Sequence, residues 1–183
     1  LPNGSRTQSS VHPALFDDEV HVWRASLDQP LADFVALLSA DEQAKAQRFR
    51  FERERRRFIV GRGTLRIILG YYVNSPPENL QFEYRPHGKP ALVAEPFQRE
   101  LCFNLSHSEE MALYAVTHNH EVGIDLEYIR PIPDVGKLAE QFFSPAERAE
   151  LDVLPLSKKL DSFFSGWTRK EAYLKARGDG MTY

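Results

Sequence analysis

Residues 142–151 read FFSPAERAEL, and the fold turns on what this stretch shares with another lying 105 positions earlier. Ser144 precedes Pro145, and Glu147 stands three places on. A hydroxyl at the N-cap, a proline at the first helical position and a carboxylate at the third together start a helix. In LSADEQAKAQRF, residues 38–49, Ser39 and Glu42 repeat the box and predict a helix from Ala40. Each box leads, at the same interval, to the pattern F-x-x-G-x7-L: Phe58, Gly61 and Leu69 in one case, Phe163, Gly166 and Leu174 in the other.

The strand-like stretches DEVHVWR (18–24) and VGIDLEYI (122–129) precede the two boxes at nearly the same offset. The spacing predicts a duplicated α+β (α/β) fold, two similar halves related by a pseudo-two-fold axis. Residues 1–16 are expected to be a flexible tail, 17–119 the N-terminal half and 120–183 the C-terminal half. The opening LPNGSRTQSS lacks a starting Met and reads as a tail outside the fold. By the repeat, residue 183 corresponds to residue 78, after which the first half continues into strands. The second half is therefore expected to be incomplete, its final strands, about 40 residues, absent.

With 183 residues the chain can bury a sizeable core. Its net charge of −3 gives no whole-molecule attraction to nucleic acid. The single Cys102 excludes an internal disulfide framework and a multi-cysteine zinc site, and fits a reducing cytoplasm. No apolar run approaches the roughly 20 residues of a membrane span, and no secretory signal opens the chain.

Between the boxes, FERERRRFIVGRGTLRIILGYY (51–72) reads as a helix with Phe58, Leu65, Leu69 and Tyr72 on one face. NSPPEN is a loop, LQFEY a strand and RPHGKP a turn. LCFNL and MALYAVTH read as strands, with Asn119–His120 as a hairpin tip before VGIDLEYI. RPIPD breaks regular structure, and the last clear helix contains SGWTRKEAYLKARG.

Chemistry is concentrated in five places. Asp125 and Glu127, at i and i+2 of a strand, point to one side while Val122, Ile124 and Leu126 face the core. They are either two acids on a solvated edge or a hard-cation site, since paired like charges repel unless a cation or proton intervenes. Oxygen ligands suit Mg²⁺, which usually shares its shell with a substrate phosphate. Gly123 admits a ligand or another backbone at close range. In WTRKEAYLKA (167–176), Glu171 and Lys175 form an ordinary i,i+4 pair or, functionally, a third metal ligand or base beside a phosphate-binding ammonium. Thr168 with Glu171 also fits a capping box. Ser106 and His107, in NLSHS after a strand, are surface loop residues or phosphate ligands, and Lys89 in the HGKP turn is solvated by default. Eight arginines fill Arg48–Arg66. Arg62 falls on the apolar face, which calls for a partner there, and arginine suits phosphate.

Taken in order, G-K-P (88–90), F-N-L-S-H-S (103–108), G-I-D-L-E (123–127), F-F-S (142–144) and W-T-R-K-E-A-Y-L-K-A (167–176) resemble the Sfp-type 4′-phosphopantetheinyl transferases, cyanobacterial members in particular. The resemblance runs from about residue 18 to 183 and implies two α/β halves with coenzyme A in the cleft between them. It also implies transfer of the 4′-phosphopantetheine arm of coenzyme A to a serine of an apo carrier protein or carrier domain of a fatty-acid, polyketide or nonribosomal peptide synthase. Adenosine 3′,5′-bisphosphate is released. By the resemblance, Asp125, Glu127 and Glu171 are the Mg²⁺ ligands, and Lys89, Ser106, His107, Lys175 and Arg53 contact the coenzyme's phosphates. Glu171 and Lys175 are expected to act in catalysis, in a monomer that binds no nucleic acid and no membrane. A non-catalytic coenzyme A or nucleotide-binding module, and a Mg²⁺-dependent phosphatase or nuclease, are the alternatives.

Overall fold

The computed structural model describes residues 14–85, 88–93 and 101–178. Mixed helix and sheet are observed, as the sequence implies. Strand β1 (His21–Ser26) is followed by the one-turn helix α1 (Ala32–Val35), the boxed helix α2 (Ala40–Ala46) and the long helix α3 (Glu52–Val73). After a 3₁₀ turn at Pro77–Asn79 come β2 (Phe82–Tyr84), β3 (Pro90–Leu92), β4 (Leu101–Ser108) and β5 (Met111–His118). Helices α4 (Val135–Phe142), α5 (Pro145–Asp152) and α6 (Leu156–Arg177) complete the described chain. The tail at 1–13, Pro86 and His87 of the expected turn, and residues 179–183 lie outside the described residues.

Both capping boxes form, and both lead to 22-residue helices. The antiparallel sheet runs β1–β5–β4, with β2 and β3 paired separately. Val60, Leu65 and Leu69 of α3 are fully buried with Tyr114 and Val116 of β5. Burying such a side chain contributes roughly 1.5–3 kcal/mol. The Tyr114 hydroxyl donates to the Gly61 carbonyl at 2.9 Å, fixing helix to sheet. A second core gathers Ala139, Phe143, Leu151, Phe163 and Phe164 from α4, α5 and α6, with Trp167 packed against it. A Cβ on Gly166 would lie 2.9 Å from Phe143 Cζ, so glycine lets the Phe143 ring stack on α6.

Arg62 finds its partner inside the molecule. Its Nε donates to Glu42 Oε1 at 2.5 Å, and Arg66 Nε donates to Glu42 Oε2 at 2.7 Å. Arg66 also donates to the carbonyls of Pro77 and Leu80, and Arg62 to the Tyr84 hydroxyl. The carboxylate that closes the first box thus serves two buried guanidiniums as counter-ion. Burial pushes the Glu42 carboxyl up, but hydrogen bonds from Arg66 and Arg62 prevail and hold it below its ordinary value.

Three sequence expectations are corrected. VGIDLEYI is not a strand: residues 121–130 have no strand assignment, and among the described residues no backbone ladder holds them. Residues 122–127 are all half-buried, so the alternation of residue types there is not matched by alternating burial. Ser106 and His107 lie within β4, which extends to Ser108 and turns at Glu109, where φ is +48°. Thr168 is mid-helix and caps nothing; its hydroxyl donates back to the carbonyls of Phe164 and Ser165.

Candidate functional site

Strand β4 presents two faces. Leu101, Phe103 and Leu105 enter the first core. Successive strand residues point to opposite sides, so Asn104, Ser106 and Ser108 look the other way, where residues 122–128 pass. Asn104 Oδ1 accepts from the Ile124 amide at 2.9 Å. Ser106 Oγ donates to Asp125 Oδ1 at 2.9 Å. Ser108 Oγ accepts from the Tyr128 amide at 2.9 Å and lies 3.5 Å from Glu127 Oε2. The carboxyl of Asp125 is therefore turned inward, its side chain 5% exposed. That excludes the solvated-edge reading for this residue.

Helix α6 closes the site from the opposite side. Lys175 Nζ donates to Asp125 Oδ1 at 2.6 Å and to Ser106 Oγ at 3.1 Å. The helix can approach because residue 123 is glycine: a Cβ there would lie 1.9 Å from the Ala172 carbonyl oxygen and 2.4 Å from the Ala176 amide. Another backbone, rather than a ligand, fills the space Gly123 leaves. Lys89 secures the same seam. Its Nζ donates to the carbonyls of Val122 at 3.2 Å and Ala176 at 3.4 Å, and pairs with Glu121 at 2.6 Å. Arg85 also donates to Glu121. With its side chain only 10% exposed, Lys89 is not the solvated lysine of a turn.

Glu171 lies one turn before Lys175 on α6. Its pKa is raised by burial first, then by the charges of Asp125 and Glu127, against a lowering from Lys175. The three expected acids thus share one electrostatic environment. Among the described residues no group of three or more His, Cys, Asp or Glu side chains is placed so as to hold a metal ion; the Lys175 ammonium is the cation on Asp125 instead. His107 points to the α3 side of β4 and remains exposed. Crowding, then the cations Lys175 and Arg57, press its imidazolium below the usual value. Arg53 is exposed in the first turn of α3, and no contact joins it to the acids among the described residues.

Two features fit a hard cation. Asp125 Oδ2 is buried and receives no hydrogen bond, so a strong acceptor faces the site unused. Asp125, Glu127 and Glu171, which act on one another electrostatically, carry the carboxylate oxygens that Mg²⁺ prefers. Sequence reasoning missed Asn104, Ser108 and Glu121. A readable signal existed for the first two: polar residues at every second position of an otherwise apolar strand, N-x-S-x-S.

Comparison with known proteins gives two family matches that together span most of the chain. The model described as 4′-phosphopantetheinyl transferase, N-terminal, matches residues 21–119, and that of the 4′-phosphopantetheinyl transferase superfamily matches residues 121–183. The chain is 51% identical to the 4′-phosphopantetheinyl transferase HetI of Nostoc sp., over 91% of this chain and 72% of that protein. It is 38% identical to a putative 4′-phosphopantetheinyl transferase of Synechocystis sp., over 88% of this chain and 65% of the relative. Against the 4′-phosphopantetheinyl transferase psf-1 of Bacillus pumilus it is also 38% identical, over 80% and 60% respectively. The aligned region thus spans about three fifths to three quarters of these relatives' lengths.

Proposed function

This chain belongs to the 4′-phosphopantetheinyl transferase family, and from that premise we propose that it transfers the 4′-phosphopantetheine arm of coenzyme A to a serine of an apo carrier protein, releasing adenosine 3′,5′-bisphosphate. One observation carries this reading. Lys175, Ser106 and a buried Asp125 with a free oxygen meet beside Glu171, at the seam between two separate hydrophobic cores. The duplicated architecture, with halves at 17–119 and 120–183 about a pseudo-two-fold axis, belongs to the same proposal. It is supported by the two boxed helices that each lead to a 22-residue helix.

Asp125, Glu127 and Glu171 are the residues that would hold Mg²⁺, which when bound supplies Lewis-acid neutralisation of the diphosphate's charge. Ser106 and Lys175 bind diphosphate oxygens, a hydroxyl and an ammonium suited to that acceptor. Lys89 and His107 also contact the coenzyme's phosphates, Lys89 by exchanging Glu121 for a phosphate oxygen, and Arg53 meets the 3′-phosphate. The Glu171 carboxylate accepts the proton of the carrier serine. The serine oxygen then bonds to the phosphorus bearing the pantetheine arm. The bond from that phosphorus to the bridging oxygen breaks, and Lys175 stabilises the leaving phosphate. Most of the acceleration comes from positioning and charge neutralisation, as in other phosphoryl-type transfers.

The partner is a carrier protein or carrier domain of a fatty-acid, polyketide or nonribosomal peptide synthase. The experiment combines the protein with coenzyme A, Mg²⁺ and a panel of apo carriers, and weighs each carrier. A gain of one phosphopantetheine arm supports the proposal. No gain on any carrier removes it, and calorimetric coenzyme A binding without carrier modification would select the non-catalytic module instead.

A further inference from the structure

Residues 121–130 present a mechanical problem. They bear two of the three acids of the site, yet among the described residues no backbone ladder fixes them. A segment without paired amides has soft dihedrals, and carboxylates on it would spread over many positions. What replaces the ladder is side-chain chemistry from β4. Asn104 Oδ1 holds the amide of Ile124, one residue before Asp125. Ser108 Oγ holds the amide of Tyr128, one residue after Glu127. The two bonds, both 2.9 Å, bracket the acid pair at either end. Asn104 is buried at 6% exposure, anchored in a strand that is paired along its whole length with β5. Its carbonyl oxygen is therefore a fixed point, not a mobile surface group.

We infer that Asn104 and Ser108 are positioning residues for the proposed reaction: they set the place of Asp125 and Glu127 by holding the two amides that flank them. This rests on the transferase reading of the site. The spacing explains the arrangement. Positions 104 and 108 stand on one face of β4 with Ser106 between them, and their bonds land on residues 124 and 128, the same separation on the opposing segment. Ser106 reaches the Asp125 carboxylate itself. Asn104 acts through backbone, and Ser108 through the Tyr128 amide with its hydroxyl also 3.5 Å from Glu127 Oε2; neither touches the reacting atoms, so neither is a catalytic residue.

The test uses Asn104→Ala, Ser108→Ala and Ser108→Thr in the chain as described. Amide hydrogen exchange should accelerate at Ile124 in the first and at Tyr128 in the second, with Ser108→Thr restoring protection. Mn²⁺ uptake, followed by loss of the free-ion electron paramagnetic resonance signal, should weaken about tenfold in both alanine variants, the usual effect of removing a group that orients a metal ligand. In the carrier assay kcat should fall while KM for coenzyme A changes little. Unchanged exchange at both amides, or unchanged Mn²⁺ affinity in both variants, overturns the inference. Ser108→Ala removes one partly buried hydroxyl, so it keeps the test decisive if Asn104→Ala does not fold. A wild-type chain that takes up no Mn²⁺ and modifies no carrier overturns the transferase reading, and with it the positioning role. That result is recognised because the two amides still respond to the substitutions.

Discussion

Lys175 Nζ stands 2.6 Å from Asp125 Oδ1, although fifty positions separate the two residues along the chain. The ammonium is 30% exposed and the carboxylate 5%. One buried anion thus keeps one partly exposed cation, and a divalent ion must compete with that lysine.

Lys175→Met removes the competitor and leaves Asp125 buried without a counter-charge, which favours any cation that can reach it. Calorimetry in the absence of coenzyme A should show divalent-ion binding tightened by about tenfold, while carrier modification collapses. A variant that binds the metal more weakly than wild type would contradict the picture of Lys175 as resident counter-ion.

Gly123→Ala forces a methyl group against the α6 backbone, where the Ala172 oxygen would be 1.9 Å away. Backbone cannot rotate aside like a side chain, so the helix must shift. We expect a loss of at least about 1–3 kcal/mol, the usual range for overpacking, measured by urea denaturation. Loss of activity should accompany it. A melting curve equal to wild type would show that the segment and helix are not in contact.

Glu42 gives the fold a pH dependence with a definite sign. Its folded pKa lies below the ordinary 4.5 because Arg66 and Arg62 outweigh burial. The unfolded chain therefore binds the proton more readily in acid. The contribution is fully present above about pH 4.5 and is lost as pH falls through the lowered folded value. Glu42→Ala strands two guanidiniums, one of them 1% exposed, and should cost about 3–5 kcal/mol at neutral pH. The variant should also lose part of the acid-side slope. An unchanged slope would assign the acid sensitivity to other carboxylates.

Glu147 titrates low, at about 2, through a hydrogen bond from Lys170 and then from the Ser144 amide. Nuclear magnetic resonance titration of its carboxyl carbon should give that value, and Lys170→Met should move it back toward the ordinary range. Stability should change little in this variant, since the ion pair is solvent-exposed. A large destabilisation would reveal a stabilising role for the Lys170 ammonium over the Phe143 ring.

Local physics was legible in the sequence. A hydroxyl with a carboxylate three residues on suffices to start a helix, so Ser39–Glu42 and Ser144–Glu147 announced α2 and α5, the second aided by Pro145, and equal spacing announced the two long helices behind them. The ordered motifs also contain Ser106, Asp125 and Lys175, which meet at the seam. What the linear pattern left open depended on groups distant along the chain. Alternation in VGIDLEYI promised a strand, but a strand exists only with a partner to share its amides, and here Asn104 and Ser108 take that place. Gly123 promised a close approach without saying to what; only packing showed that α6 fills it. Arg62 on an apolar face demanded a partner, and Glu42, already occupied at a helix start, supplied it from 20 residues away. Spacing along a chain reports dihedral preferences and periodicity, whereas charge pairing and backbone contact are decided by which surfaces folding brings together.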